Sequence, residues 1–286
     1  LVVQVVAFTM GVALARSITG AVDELNTGTE HVRHGDFSHR IAVDSRDQLG
    51  DLADSFNAMT ASVEVLLREK AEKERLEQEL RVARQIQMSL LPQEPLRVDG
   101  LSVSAHCEPA RQVGGDYFDY FELTDGRVGI IIADVAGKGT SAALYMAELK
   151  GLMLSLSQLH RSPRDLLVAA NTVIARHLDA RSFITMTYMV IDVAARTMTH
   201  ARAGHCPLLY LPRAEHGARE VHVLAPDGLV LGLRIDSGAH FTQLLREEVT
   251  ALGAGDLVLL YTDGIVEAMN EDGVPLDRKS TRLNSS

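Results

Sequence analysis

Apolar residues recur at alternating steps of three and four along the first quarter of the chain. Ile18, Val22, Leu25, Thr29 and Val32 make one series, with one polar member; Leu49, Leu52, Phe56, Met59, Val63 and Leu66 make a second. Steps of three and four are the seam of a coiled coil. The intervening HGDFSHRIAVDSRD carries Gly35, a natural helix C-cap, and is too short and irregular for a domain. Two helices with one narrow seam each cannot bury those seams alone, whereas a parallel dimer forming a four-helix bundle satisfies both. A monomeric helical hairpin competes, but an extended connector can return the chain to its starting end, which favours parallel helices.

Ahead of the first seam stands LVVQVVAFTMGVALAR. Fifteen mostly apolar residues fall short of the roughly 20 that a full membrane span takes. A buried helix, a signal-peptide core ending at Ala13-Leu14-Ala15, and the end of a transmembrane helix whose start is missing all fit. The third is favoured, with residues 1–15 in the membrane and Arg16 on the cytoplasmic side, because a helical relay follows and not a secreted domain. After the second seam, residues 67–91 are charged and rich in helix formers. Leu76, Leu80, Ala83, Gln87 and Leu90 continue the seam spacing, and a polar Gln there can fix register. A solvated linker helix is compatible with the same pattern. Pro92 and Pro95 end it and mark a boundary.

From about residue 96 the period changes. LSVSAHCEP, DYFDYFEL, RVGIIIADV, FITMTYMVIDV, TMTHARAG, PLLYLP, EVHVLA, FTQLLREEV and DLVLLYTD read as strands. Helical stretches interrupt them near 140–159 and 163–179, the second with Ser162 as N-cap and Pro163 at the first helical position. Many strands and a helical pair without strand–helix alternation predict an α+β layered domain. The tail at 278–286 has no apolar periodicity and reads as disordered or non-native. The net charge of −10 argues against a nucleic-acid-binding surface. Cys107 and Cys206 offer neither a disulfide framework nor metal-ligand spacing, which fits a reducing compartment.

Three acidic positions share a local design. Asp116 follows Gly114-Gly115 at a strand start, Asp134 ends an apolar strand and leads into AGKG, and Asp263 ends another and precedes Gly264. A carboxylate at the end of a buried strand is rigidly held, and glycines let backbone or ligand approach. Carboxylates with little His or Cys nearby suit hard cations such as Mg²⁺ or Mn²⁺. Each site alone also reads as an ordinary turn, and spacing leaves metal site and turn evenly matched. AGKGTS is not a Walker loop, since the first glycine is missing at the needed spacing. Asp119 lies three residues from Asp116, and on a strand such residues face opposite sides, so it is expected to support the scaffold.

Two resemblances sharpen this picture. GDFSHRIAVDSRDQLGDLADSFNAM, after an apolar segment, resembles a HAMP signalling module spanning 16–66, with Gln48 where the family usually has Glu and Gly20-Ala21 where a Pro is common. GGDYFDYFEL, IIIADVAGKGTSAALYMAELK, RAGHCPLLYL, GLVLGL and LLYTDGIVEAMNEDG, in that order, resemble the SpoIIE/RsbU-like branch of the metal-dependent protein serine/threonine phosphatases of the type-two-C superfamily, over about 92–277. The ending ARQIQMSLLP resembles the linker such enzymes carry.

The second resemblance implies a β-sandwich flanked by helices. It also implies a dinuclear Mn²⁺/Mg²⁺ site at one edge that activates water against phosphoserine or phosphothreonine, with no covalent phospho-enzyme. It would make Asp134 and Asp263 side-chain ligands, Val135 a ligand through its backbone carbonyl, and Asp116 a ligand directly or through water. Lys138 could meet the substrate phosphate, against a solvated loop lysine, and His205 could donate a proton, against a structural role. A late Asp-Asp motif of the family is absent, so the natural protein is expected to continue. The expected protein is a dimeric, membrane-anchored phosphatase with its HAMP and catalytic parts on the cytoplasmic side of the inner membrane. Its implied substrate is a phosphorylated anti-sigma-factor antagonist of the STAS type. A catalytically impaired scaffold is the alternative. A sensor kinase shares the HAMP front but would need a phospho-acceptor His helix and ATP boxes.

Overall fold

The computed structural model describes residues 1–42, 47–109, 113–137, 139–179, 182–214, 217–235 and 238–268. The chain divides into two compact units, Leu1–Glu79 and Leu80–Ser286.

The first unit is helical. Helix α1 (Val2–Arg33) runs unbroken through the apolar N-terminal run and the first seam, and is long and apolar enough to cross a membrane. It ends where Gly35 takes φ 84°. The Gly35 N–H then donates to Val32 and the Asp36 N–H to His31, a Schellman ending. Helix α2 (Gln48–Leu90) is also unbroken, so the second seam and the linker form one element. Contact between α1 and α2 uses small residues. Ala21, Gly28, Ala53 and Thr60 are buried, and a Cβ on Gly28 would lie 2.6 Å from the Ile41 side chain. The Asn57 amide holds Ile41 through its backbone at both N–H and C=O, each at 2.9 Å. The seam residues Ile18, Val22, Leu52 and Met59 stay about half exposed on the single chain (45–52%).

The second unit is a layered α+β domain, as the strand-rich pattern predicts. Strands β3 (Asp116–Glu122), β4 (Val128–Val135), β5 (Ile184–Asp192), β6 (Thr197–Ala203) and β9 (Glu247–Ala251) form one antiparallel sheet in the order β3-β4-β5-β6-β9. Helices α3 (Thr140–Ser157) and α4 (Pro163–His177) cover one face. Met146, Leu149, Met153, Leu166 and Leu167 there meet Ile131, Ala133 and Val135 of β4. The other face packs on β7 (Leu208–Leu211), β8 (His222–Leu224) and β10 (Leu257–Leu259), which form a sheet ordered β10-β7-β8, and on the hairpin β1 (Leu96–Val98) and β2 (Leu101–Val103). Alternation explains the layering: odd positions of β4 enter the helical core, and Val128 and Ile130 enter the sheet–sheet core. Ser162 caps α4 by accepting from the Asp165 N–H, with Pro163 at the first turn.

Three strand expectations change. FTQLLREEV divides into a short helix α5 (Ala239–Leu244) and the start of β9, because Phe241 and Leu245 are both buried in the helical core, a helical spacing of four. DLVLLYTD is strand only to Leu259, and Asp263 opens a one-turn helix α6 (Asp263–Val266) after Thr262. LSVSAHCEP is strand only to Val103. Gln87, read as a seam position, is buried (6% exposed) against the backbone of Gly114. The tail at 278–286 lies outside the described residues.

Candidate active site

One rim of the five-stranded sheet gathers the acidic positions. Asp116 opens β3 and pairs directly across the ladder with Asp134 of β4. The Val135 N–H donates to Gly115 at 3.2 Å, which makes Gly115–Val135 the hydrogen-bonded pair and leaves Asp116–Asp134 the closer-spaced non-hydrogen-bonded pair. Both carboxylates therefore stand side by side on the sheet face away from Ala133 and Val135. Asp263 begins α6 and sits near enough that its charge raises the pKa of both.

The electrostatics are those of crowded, partly buried carboxylates. Burial first, then the charge of Asp263, raises Asp116 above the ordinary range, while the Thr262 hydroxyl, hydrogen-bonded to it, partly offsets this. Burial, then the charges of Asp116, Asp263 and Glu267, pushes Asp134 up to about 6. Glu267 caps the end of α6, one turn after Asp263. The sequence reading missed it, since a four-residue spacing is informative only once 263–266 is known to be helical.

A consequence follows for stability. A folded-state pKa above the unfolded value means that the native state takes up the proton first as pH falls. The penalty on the ionised Asp134 is thus full above pH 6 and gone below its ordinary value near 3.8. Asp134→Asn is expected to stabilise the metal-free chain at pH 7.5 by about 1–2 kcal/mol, allowing for solvent screening of a half-exposed group. The gain should shrink to nothing near pH 4; equal urea midpoints for both proteins at pH 7.5 would contradict it.

Gly115 makes the rim possible. A Cβ there would lie 2.4 Å from the Val135 carbonyl oxygen and 2.9 Å from Asp134 Oδ1. A side chain would fill the space where that carbonyl and that carboxylate meet. Carboxylates and a backbone carbonyl, all hard oxygen donors, suit Mg²⁺ or Mn²⁺. Among the described residues no three His, Cys, Asp or Glu side chains already form a closed ion cage. The donor types and the cradle fit such an ion.

Beside the rim, Thr185 of β5 pairs with Asp134, and its hydroxyl shares a 2.9 Å hydrogen bond with His205 Nδ1. Burial pushes His205 down to about 4, so it is neutral at pH 7 and carries no imidazolium proton to donate. This favours the structural role for His205. Asp119 parts from Asp116 as strand geometry demands. It points into the helical side, 5% exposed, and accepts from Lys150 Nζ at 2.7 Å, from the Tyr117 hydroxyl at 3.0 Å and from the Tyr120 N–H at 2.9 Å. Lys138 lies outside the described residues; on either side of it Gly137 and Gly139 take φ of 126° and 84°.

An antiparallel sandwich with a helical pair on one sheet and carboxylates along one rim defines a class. The PP2C domain of SiaA from Pseudomonas aeruginosa matches with a TM-score of 0.57 over 74% of this chain and 81% of its own, at 22% identity, and the fold is the PP2C fold. The chain belongs to the SpoIIE family: the profile of Stage II sporulation protein E matches residues 124–284, and that of the HAMP domain matches 13–64. The phosphoserine phosphatase RsbU of Bacillus subtilis is 33% identical over 199 residues, 69% of this chain and 56% of its own length. The phosphoserine phosphatase RsbP of the same organism is 30% identical over 197 residues, 66% of this chain and 45% of its own. The chain thus spans about half the length of these curated relatives.

Proposed function

We propose that this protein is a signal-transducing, metal-dependent protein serine/threonine phosphatase. The observation that carries the reading is the Asp116–Asp134 pair, set beside Asp263, with both carboxyl pKa values raised first by burial and then by neighbouring negative charge. Asp116, Asp134 and Asp263, with the Val135 carbonyl, are the residues assigned to metal. When bound, a pair of Mn²⁺ or Mg²⁺ ions supplies acidification of water and neutralisation of phosphoryl charge. The chain's own residues fix where this happens. The β3–β4 ladder holds two carboxylates rigidly, α6 brings the third, and Gly115 keeps the approach open. Lys138, following Asp134 in sequence, is assigned to the substrate phosphate.

The substrate is a phosphoserine or phosphothreonine on a regulatory protein, specifically an anti-sigma-factor antagonist of the STAS type. The names of RsbU and RsbP as phosphoserine phosphatases support that class. The protein is anchored in the inner membrane through α1, with its HAMP and catalytic parts cytoplasmic, and it is a homodimer. Support for the dimer comes from the half-exposed seam residues Ile18, Val22, Leu52 and Met59, apolar groups spaced to meet a second copy.

The test is phosphate release from a serine-phosphorylated STAS domain. Release is expected with Mn²⁺, lost on chelation with EDTA, and restored by added Mn²⁺. Calorimetry of Mn²⁺ binding separates the alternative: no heat of binding and no release in any metal would make the chain a scaffold.

A further inference from the structure

The last turn of α2 is tied to the acidic rim by one side chain. Gln87 Nε2 donates to the Gly114 carbonyl at 2.6 Å, and the Gly114 N–H donates to Gln87 Oε1 at 3.2 Å. Gly114 sits two residues before Asp116. Strand β3 is the edge of its sheet, and the backbone of Gly115 faces β4. Gly114 lies just ahead of β3, and its N–H and C=O are both taken by Gln87. A primary amide carries one donor and one acceptor in the geometry of a peptide unit, and Gln87 therefore pairs with the Gly114 backbone as a peptide unit would. Gln87 is 6% exposed, and its neighbours Met88, Leu90 and Leu91 pack on the helical-side core, so the amide is held in place. The Asn57 amide, on the same helix, grips Ile41 in the same two-sided way.

We propose that Gln87 is a positioning residue for the metal rim: its amide fixes the Gly114-Gly115 backbone, and thereby Asp116 against Asp134, to the end of the α2 helix. This rests on the metal reading above and adds the element that sets the rim's geometry. A shift of the α2 end then moves the backbone that carries Asp116, without any contact between α2 and a metal.

Two variants test it in the full chain. Gln87→Ala removes the amide, and Gln87→Met removes it while keeping side-chain length and filling the same space. Both are expected to speed hydrogen exchange at residues 113–117 by about tenfold or more, with strands β5 and β6 unchanged. Both are expected to weaken Mn²⁺ binding in calorimetry by about tenfold to a hundredfold, the usual cost of losing a group that orients a ligand. Wild-type Mn²⁺ affinity in Gln87→Met would overturn the proposal, since packing alone would then suffice. Unchanged exchange and affinity in both variants would overturn it as well. A wild-type chain that binds no Mn²⁺ overturns the metal reading and this role of Gln87 with it, an outcome distinct from normal binding in the variants.

Discussion

Asp134→Ala and Asp263→Ala are each expected to abolish Mn²⁺-dependent phosphate release, by about a thousandfold or more in kcat/KM. The two carboxylates come from different elements, β4 and α6, yet the charge of Asp263 raises the pKa of Asp134. On the proposed metal role, removing either would leave the ion pair short of a hard anionic ligand and take away the positioned charge that water activation requires. Misfolding would be a poor explanation for such a loss, because the metal-free rim is a site of repulsion that Asp134→Ala relieves. Near-native thermal unfolding beside lost turnover is the expected pair of results. Glu267→Gln should cost less, about tenfold, since Glu267 enters through the charge it places on Asp134. Full activity in both Asp134→Ala and Asp263→Ala would sink the assignment.

The largest expected effect on stability lies on the other face of β3. Lys150→Met is expected to destabilise the catalytic unit by about 3 kcal/mol, because it strands a buried carboxylate. Asp119 keeps its bonds from the Tyr117 hydroxyl and the Tyr120 N–H, but loses the ammonium at 2.7 Å that balances its charge. For a domain of this size that corresponds to a melting temperature lower by about 10 °C. Asp119→Asn with Lys150→Met should recover part of the loss, since the buried charge is then gone. A drop of less than 2 °C in Lys150→Met would show that the pair contributes nothing net.

Much of the architecture was legible beforehand because it is written in period. The alternation of RVGIIIADV predicts a strand with two different faces, and β4 contributes to two different cores. The Ser162-Pro163 start of α4 is chemistry local to four residues, and it appears as read. The parting of Asp116 and Asp119 needed only the two-residue period of a strand. Phe241 was misread because a short apolar run does not distinguish strand from helix, and burial against the helical core decided for helix. Gln87 was misread because a seam position looks the same whether a second helix or the backbone just ahead of a strand covers it. Glu267 was missed because its link to Asp134 joins elements far apart in sequence.

By itself, then, the sequence determined local matters: where α4 starts, which strand positions face inward, that Asp134 lies at the end of an apolar strand, and which families the motifs resemble. Those follow from backbone geometry and side-chain shape within a few residues. Only the tertiary structure decided that Asp116 pairs with Asp134, that α6 delivers Asp263 and Glu267 to the same rim, and that Gln87 holds the Gly114 backbone just ahead of β3. Ladder register and burial are set by the summed packing of distant segments. Burial first, and the resulting proximity second, is what shifts the carboxylates' protonation.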